Sequence, residues 1–257
     1  MIRRAVLAAL LLAPLAAAPP PLDPGPPAAF ADLAALTIAS PVIVTATIAK
    51  AARLGAADAP GVAPGSTRLL VRARLSAALR APAAIPADID YLIDVPAATR
   101  LKGLAVLLFL RPGARDGQFA LTASGAQQNA TPAAEASVRA LLAELALDKA
   151  PVVTGVGSAF TVPGAIAGEA ESQFFLTTQS GKPVSLVVLT RPGEAKSLRL
   201  ALGDVIDDAA APVRPGTLLW YRLACFLPRA LPGAPEAALA ADYAFVLATL
   251  GPCERRL

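Results

Sequence analysis

Residues 68–80, RLLVRARLSAALR, and residues 88–95, DIDYLIDV, decide the fold. In the first, Leu69, Val71, Ala73, Leu75, Ala77 and Leu79 fall on one side, and Arg68, Leu70, Arg72, Arg74 and Arg80 on the other. In the second, Ile89, Tyr91, Ile93 and Val95 face one way, and Asp88, Asp90, Leu92 and Asp94 the other. A period of two marks a strand with one buried face. The two polar rows complement each other. Antiparallel pairing sets Arg68 against Asp94, Leu70 against Leu92, Arg72 against Asp90 and Arg74 against Asp88. Each such pair contributes roughly 0.2–1 kcal/mol, and a slip of one residue would bury the charges. The competing reading is a helix over 67–79, because alanine, leucine and arginine are good helix formers.

Working outward, residues 42–54 are rich in Val, Ile and Thr and form an earlier strand. Residues 104–110, LAVLLFL, are apolar on both faces and belong at the centre of a sheet. Phe119 and Leu121 alternate with polar neighbours as a fifth strand. Thr131 then caps a helix with Pro132 at its first position, and Val138, Leu141, Leu142 and Leu145 stripe it. Asn129-Ala130-Thr131 matches a glycosylation sequon, but its place before that helix makes it a capping turn.

After a break at 148–151, the glycines at 155, 157, 164 and 168 loosen a Val-Val-Thr start. Residues 172–178 and 184–190 form a hairpin, and 198–202 a further strand. Arg-Pro-Gly at 111–113, 191–193 and 214–216 reads as one type II turn used at each site. Residues 218–227, LLWYRLACFL, fit a short buried helix better than a strand, and 237–250 form a clearer helix ended by Gly251-Pro252.

The expected fold class is therefore mainly β with a few helices (α+β): a small five-stranded OB/SH3-like barrel plus terminal helix, followed by a disulfide-closed α+β domain. The expected divisions are a signal peptide over 1–18, a Pro/Ala-rich tether over 19–36, the barrel unit over 37–148 and the second unit over 152–257.

Arg3 and Arg4 before a short apolar run and a small-residue stretch give the order of a secretory signal, too short to span a bilayer. The formal net charge is +4, and loss of these two arginines lowers it to +2. Such a balance gives no ground for nucleic-acid or anionic-membrane binding. No membrane span is expected in the mature chain, and a periplasmic or secreted location follows. Cys225 and Cys253 are the whole cysteine inventory and are expected to pair in an oxidising compartment.

The chain has no histidine. Ser-His-Asp and Cys-His catalysis and histidine metal sites are thereby excluded. No G-x-S-x-G, S-x-x-K, G-x-G-x-x-G or Walker A pattern occurs, so no cofactor is expected. The acids remain. Asp88, Asp90 and Asp94 read as a salt-bridge ladder rather than a calcium site, and Asp204, Asp207 and Asp208 as a capping turn. Glu169 and Glu171 fit one side of a strand, the minimum a carboxylate pair needs. Trp220, Tyr221 and Phe226 form the densest aromatic group. They are read as core packing around the disulfide, with a ligand groove as the alternative.

Residues 104–112, LAVLLFLRP, followed by a polar turn and another strand, resemble exported bacterial OB-like domains related to the netrin module. That module tends to carry a terminal helix. Residues 154–164 (TGVGSAFTVPG), 168–193 (GEAESQFFLTTQSGKPVSLVVLTRPG) and 215–229 (PGTLLWYRLACFLPR) resemble an uncharacterised family of bacterial exported proteins. The resemblance implies export and this domain layout, and no catalytic residue. The expected function is a non-catalytic binding or interaction module of the bacterial cell envelope, meeting an envelope protein or a small ligand. The alternative is a carboxylate-dependent hydrolase acting on envelope glycans.

Overall fold

The computed structural model describes residues 28–115, 118–202 and 212–257. The signal segment, the proline-rich start of the tether and Asp204, Asp207 and Asp208 lie outside these residues.

The first element corrects the sequence reading. Where the tether was expected to continue to residue 36, helix α1 runs over Phe30–Ala39. The proline run stops at Pro27 and none follows until Pro41, so an Ala/Leu-rich segment is free to coil. It does so because Ala31, Leu33, Ala34 and Leu36 find a core to enter. Arg80 closes the far end, donating to the carbonyls of Thr37 (2.7 Å) and Ser40 (3.0 Å).

Strands β1 (Val42–Arg53), β2 (Ser66–Arg80), β3 (Asp88–Pro96), β4 (Ala105–Pro112) and β5 (Phe119–Leu121) follow. They pair in the order β3-β2-β1-β4-β5, and the short β6 (Gln127–Asn129) adds to β4. β3 and β5 lie side by side and share a parallel bridge between Asp90 and Gln118, which nearly closes the sheet into a barrel. The β2–β3 register is the one the charge pattern demands: Arg68, Leu70, Arg72 and Arg74 stand opposite Asp94, Leu92, Asp90 and Asp88. Arg68 and Arg72 grip Asp94 and Asp90 through two nitrogens each, at 2.6–2.7 Å. Arg74 and Asp88 are opposed without forming an ion pair. β4 is buried on both faces. Val106, Leu108 and Leu110 fill the barrel with Val44, Val71, Ile89 and Tyr91. Leu107 and Phe109 point out into a helical layer.

That layer begins with α1 and α2 (Pro132–Leu147). Thr131 Oγ1 accepts from the Ala134 amide at 3.1 Å, with Pro132 opening the helix. The second half holds β7 (Val153–Pro163), β8 (Ala170–Thr178), β9 (Val184–Thr190) and β10 (Ser197–Ala201), an antiparallel sheet in the order β10-β9-β8-β7. The glycine-loosened start is therefore a full strand, and its glycines sit at two register shifts, Val153/Gly155 and Val156/Ser158. Helices α3 (Leu218–Phe226) and α4 (Ala237–Leu250) cover one face of this sheet.

Helix α3 serves both halves. Leu218 and Tyr221 enter the core beneath β4 with α1 and α2. Leu223 and Ala224 enter the core of the second sheet. The Leu218 amide, one of the unpaired donors of the first turn, is taken by Glu144 of α2 at 2.9 Å. The Cys225–Cys253 disulfide ties α3 to the segment beyond α4, across a Cα–Cα distance of 5.0 Å. The shared Arg-Pro-Gly turn is corrected. Gly193 and Gly216 have the positive φ that a type II turn requires, at 79° and 75°. Gly113 does not. A Cβ there would lie 2.8 Å from the Gln118 carbonyl, so this glycine serves close chain approach.

Candidate functional site

The aromatic group at α3 is core. Tyr221 is buried, and Trp220 donates from Nε1 to the Leu250 carbonyl at 2.8 Å. Trp220 stacks edge-on to Phe30 with ring centroids 5.9 Å apart, and Tyr221 edge-on to Phe226 at 5.5 Å. Burial pushes the Tyr221 phenol above its ordinary pKa. Phe226 alone is exposed at the rim. Cys225 and Cys253 hold this packing together.

A concave site lies instead on the opposite, outward face of the second sheet. Two cross-strand rows build it. One runs Phe160, Gln173, Val187 and Arg199; the next runs Val162, Glu171, Leu189 and Ser197. Between the β7–β8 connection and the end of β9 opens a hollow of about 290 Å³. Val162, Pro163 and Leu189 give it apolar wall, and Glu169, Glu171, Gln173 and Arg191 give it polar rim. This volume is near the lower end of the range for small-molecule sites.

Local chain geometry places the acids. Glu171 points outward because Ser172 and Phe174 take the inner positions of β8. Glu169 lies just before β8 and is turned by the connection, where the Gly164 amide donates to the Glu169 carbonyl at 2.8 Å. Gly164 also leaves room for the Glu169 side chain, since a Cβ there would come within 2.5 Å of Glu169 Cγ.

Both acids have partners. Arg191 Nε lies 3.5 Å from Glu169 Oε1, and Gln173 Nε2 donates to Glu171 Oε1 at 2.6 Å. A guanidinium stands beside one acid and a side-chain amide beside the other. The arrangement presents both charged and amide groups to a ligand's polar atoms. Beside the hollow, Phe160 and Phe175 pair with centroids 5.7 Å apart.

Comparison with family models and with curated proteins finds no match to this chain. The site stands on its geometry.

Three further described acids are engaged in structure. Asp90 and Asp94 are held below the ordinary carboxylate range, chiefly by hydrogen bonds from Arg72 and Arg68. Asp148, just past α2, is held down by Lys182 at 2.7 Å. Among the described residues, no group of three or more His, Cys, Asp or Glu is placed to hold a metal. No helix among them is long and apolar enough to cross a membrane.

The Glu169/Glu171 pair was visible in the sequence as two acids on one strand side. Phe160, Val162 and Arg191 were not. The glycines disguised β7 as a loop, and Arg191 looked like part of a turn. The signal that finds them is alternation resumed past the glycines: Ser158, Phe160 and Val162 share a period of two.

Proposed function

We propose that this chain is a non-catalytic binding module of the bacterial cell envelope, periplasmic or secreted, that takes a small ligand or a protein segment at the hollow on the second sheet. The observation that carries this reading is the partnering of the rim: each acid in the hollow already faces a donor, above an apolar wall. Export is supported by the Arg3-Arg4 leader pattern and by the Cys225–Cys253 bond, which fits an oxidising compartment. The OB-like, netrin-module-like reading of the barrel is supported by the order β3-β2-β1-β4-β5, the parallel bridge closing it and the helix α2 that follows.

The test compares the wild-type chain with Leu189→Arg, which fills the hollow from an outward position on β9. An envelope component retained in stoichiometric amount by the wild type and lost by the variant is the expected result. Equal retention by both overturns the assignment of the hollow.

The second reading, a carboxylate-dependent hydrolase of envelope glycans, has in its favour that Glu169 and Glu171 line one hollow. It requires the wild type to release reducing ends from purified cell-wall glycan, and Glu169→Gln and Glu171→Gln each to abolish that release. No release by the wild type is the outcome the binding reading expects.

A further inference from the structure

The two outer strands of the second sheet are built differently. β10, residues Ser197–Ala201, carries the exposed Arg199 and follows Lys196. Charge on an edge strand is a standard guard against pairing with another chain. β7, residues Val153–Pro163, has the sequence VTGVGSAFTVP and carries no charge at all. Its first half is bent by the register shifts at Gly155 and Gly157, and Leu231, Pro232, Ala234 and Pro235 face Val156–Ala159 across a hollow of about 220 Å³. Its second half has neither protection. From Ser158 to Pro163 the register against β8 is unbroken, and Phe160 and Val162 are 44% and 48% exposed. Among the described residues, the backbone of β7 bonds to no strand but β8. A row of unpaired amides and carbonyls beside exposed β-branched and aromatic side chains is a template for a further strand.

We propose that β7 pairs antiparallel with β7 of a second copy of this chain, joining the two sheets edge to edge. Self-pairing fits this edge for three reasons. An uncharged strand meets itself without like-charge opposition. Pairing centred on Thr161 sets Phe160 against the partner's Val162, an aromatic against a β-branched side chain on the same outward face. A two-fold contact also consumes the open edge of both copies, so growth stops at the dimer, with Arg199 guarding each outer end. Pro163 has no amide to donate and ends the ladder. Val162 also lines the hollow, so the test uses the purified chain with no ligand added.

The test is sedimentation of the full mature chain from micromolar to millimolar concentration, with amide hydrogen exchange at both ends of the range. The expected result is a doubling of mass with concentration. It should be accompanied by slower exchange of the Ala159 and Thr161 amides, which face the free edge, and the double variant Phe160→Lys/Val162→Lys should stay monomeric throughout. A wild-type chain that stays monomeric overturns the proposal. So does a double variant that dimerises like the wild type, or a mass increase that leaves exchange at Ala159 and Thr161 unchanged. Should the double variant not fold, exchange on the unaltered chain decides. Protection of these amides only on adding envelope extract to a monomeric chain overturns self-pairing and gives the edge to a foreign strand.

Discussion

At the scale of single residues, Asp242 is the most consequential charge in the second half. It lies on α4, is 5% exposed, and accepts from Ser172 Oγ of β8 at 2.6 Å. Its other oxygen accepts from the Lys196 ammonium, and Ser172 in turn shares a hydrogen bond with Thr161 of β7 at 2.7 Å. This chain of contacts docks the helix on the sheet. Asp242→Ala leaves Ser172 Oγ buried without its acceptor and Lys196 without its counter-charge. Urea unfolding should register a loss of about 3 kcal/mol. Asp242→Asn keeps an acceptor for Ser172 and should lose less.

The barrel charges behave differently because they face water. Asp90 and Asp94 have depressed folded-state pKa values, so their contribution is present above the unfolded-state value near 4 and is lost as pH falls through the folded values. Carboxyl NMR titration should place Asp90 below the ordinary range, and Arg72→Ala should return it upward. An Asp90 carboxyl insensitive to that substitution would contradict the paired geometry.

At the scale of elements, legibility followed how local the physical signal was. β2 and β3 were readable to the residue because alternation and charge complementarity act between neighbours in sequence. β4 was readable because a strand buried on both faces must be apolar on both. The α2 cap was readable from Thr131-Pro132 alone. Thr131→Ala should lower stability by about 1 kcal/mol, measured as a shift in urea midpoint. Helix α1 was not readable as part of the fold, because nothing near it in sequence says that Leu107, Phe109 and Leu218 wait to cover Leu33 and Leu36. The hollow was half legible: the acids were seen, but the register that brings Leu189 beside Glu171 is a tertiary fact. The disulfide was legible by elimination. Its loop spans 28 residues of sequence separation. Cys253→Ser with Cys225→Ser should cost about 3 kcal/mol of unfolding free energy in the chain-entropy account. A double variant as stable as the wild type would show that α3 and α4 are held by packing alone.

At the scale of the whole molecule, α3 decides how the halves behave together. Its Leu218 and Tyr221 complete the core under the barrel while Leu223 and Ala224 complete the core of the other sheet. Phe30 of α1 meets Trp220, and the Arg256 amide donates to Asp32 of α1 at 2.9 Å, so α1 is held by both α3 and the C-terminal segment. The halves are therefore expected to unfold in one transition by calorimetry. Leu218→Ala should lower that transition as a whole, with a loss of about 2–5 kcal/mol, rather than split it. A fragment of residues 28–150 keeps every strand of the barrel-like sheet but lacks the α3 side chains that seal it. It should bind a hydrophobic dye strongly.

The sharing of α3 also fixes an order of events during synthesis. The barrel strands leave the ribosome early, yet the side chains that close their helical flank sit near the far end of the chain. Sealing of the barrel's helical flank must therefore await the synthesis of α3, long after the strands it covers have been made.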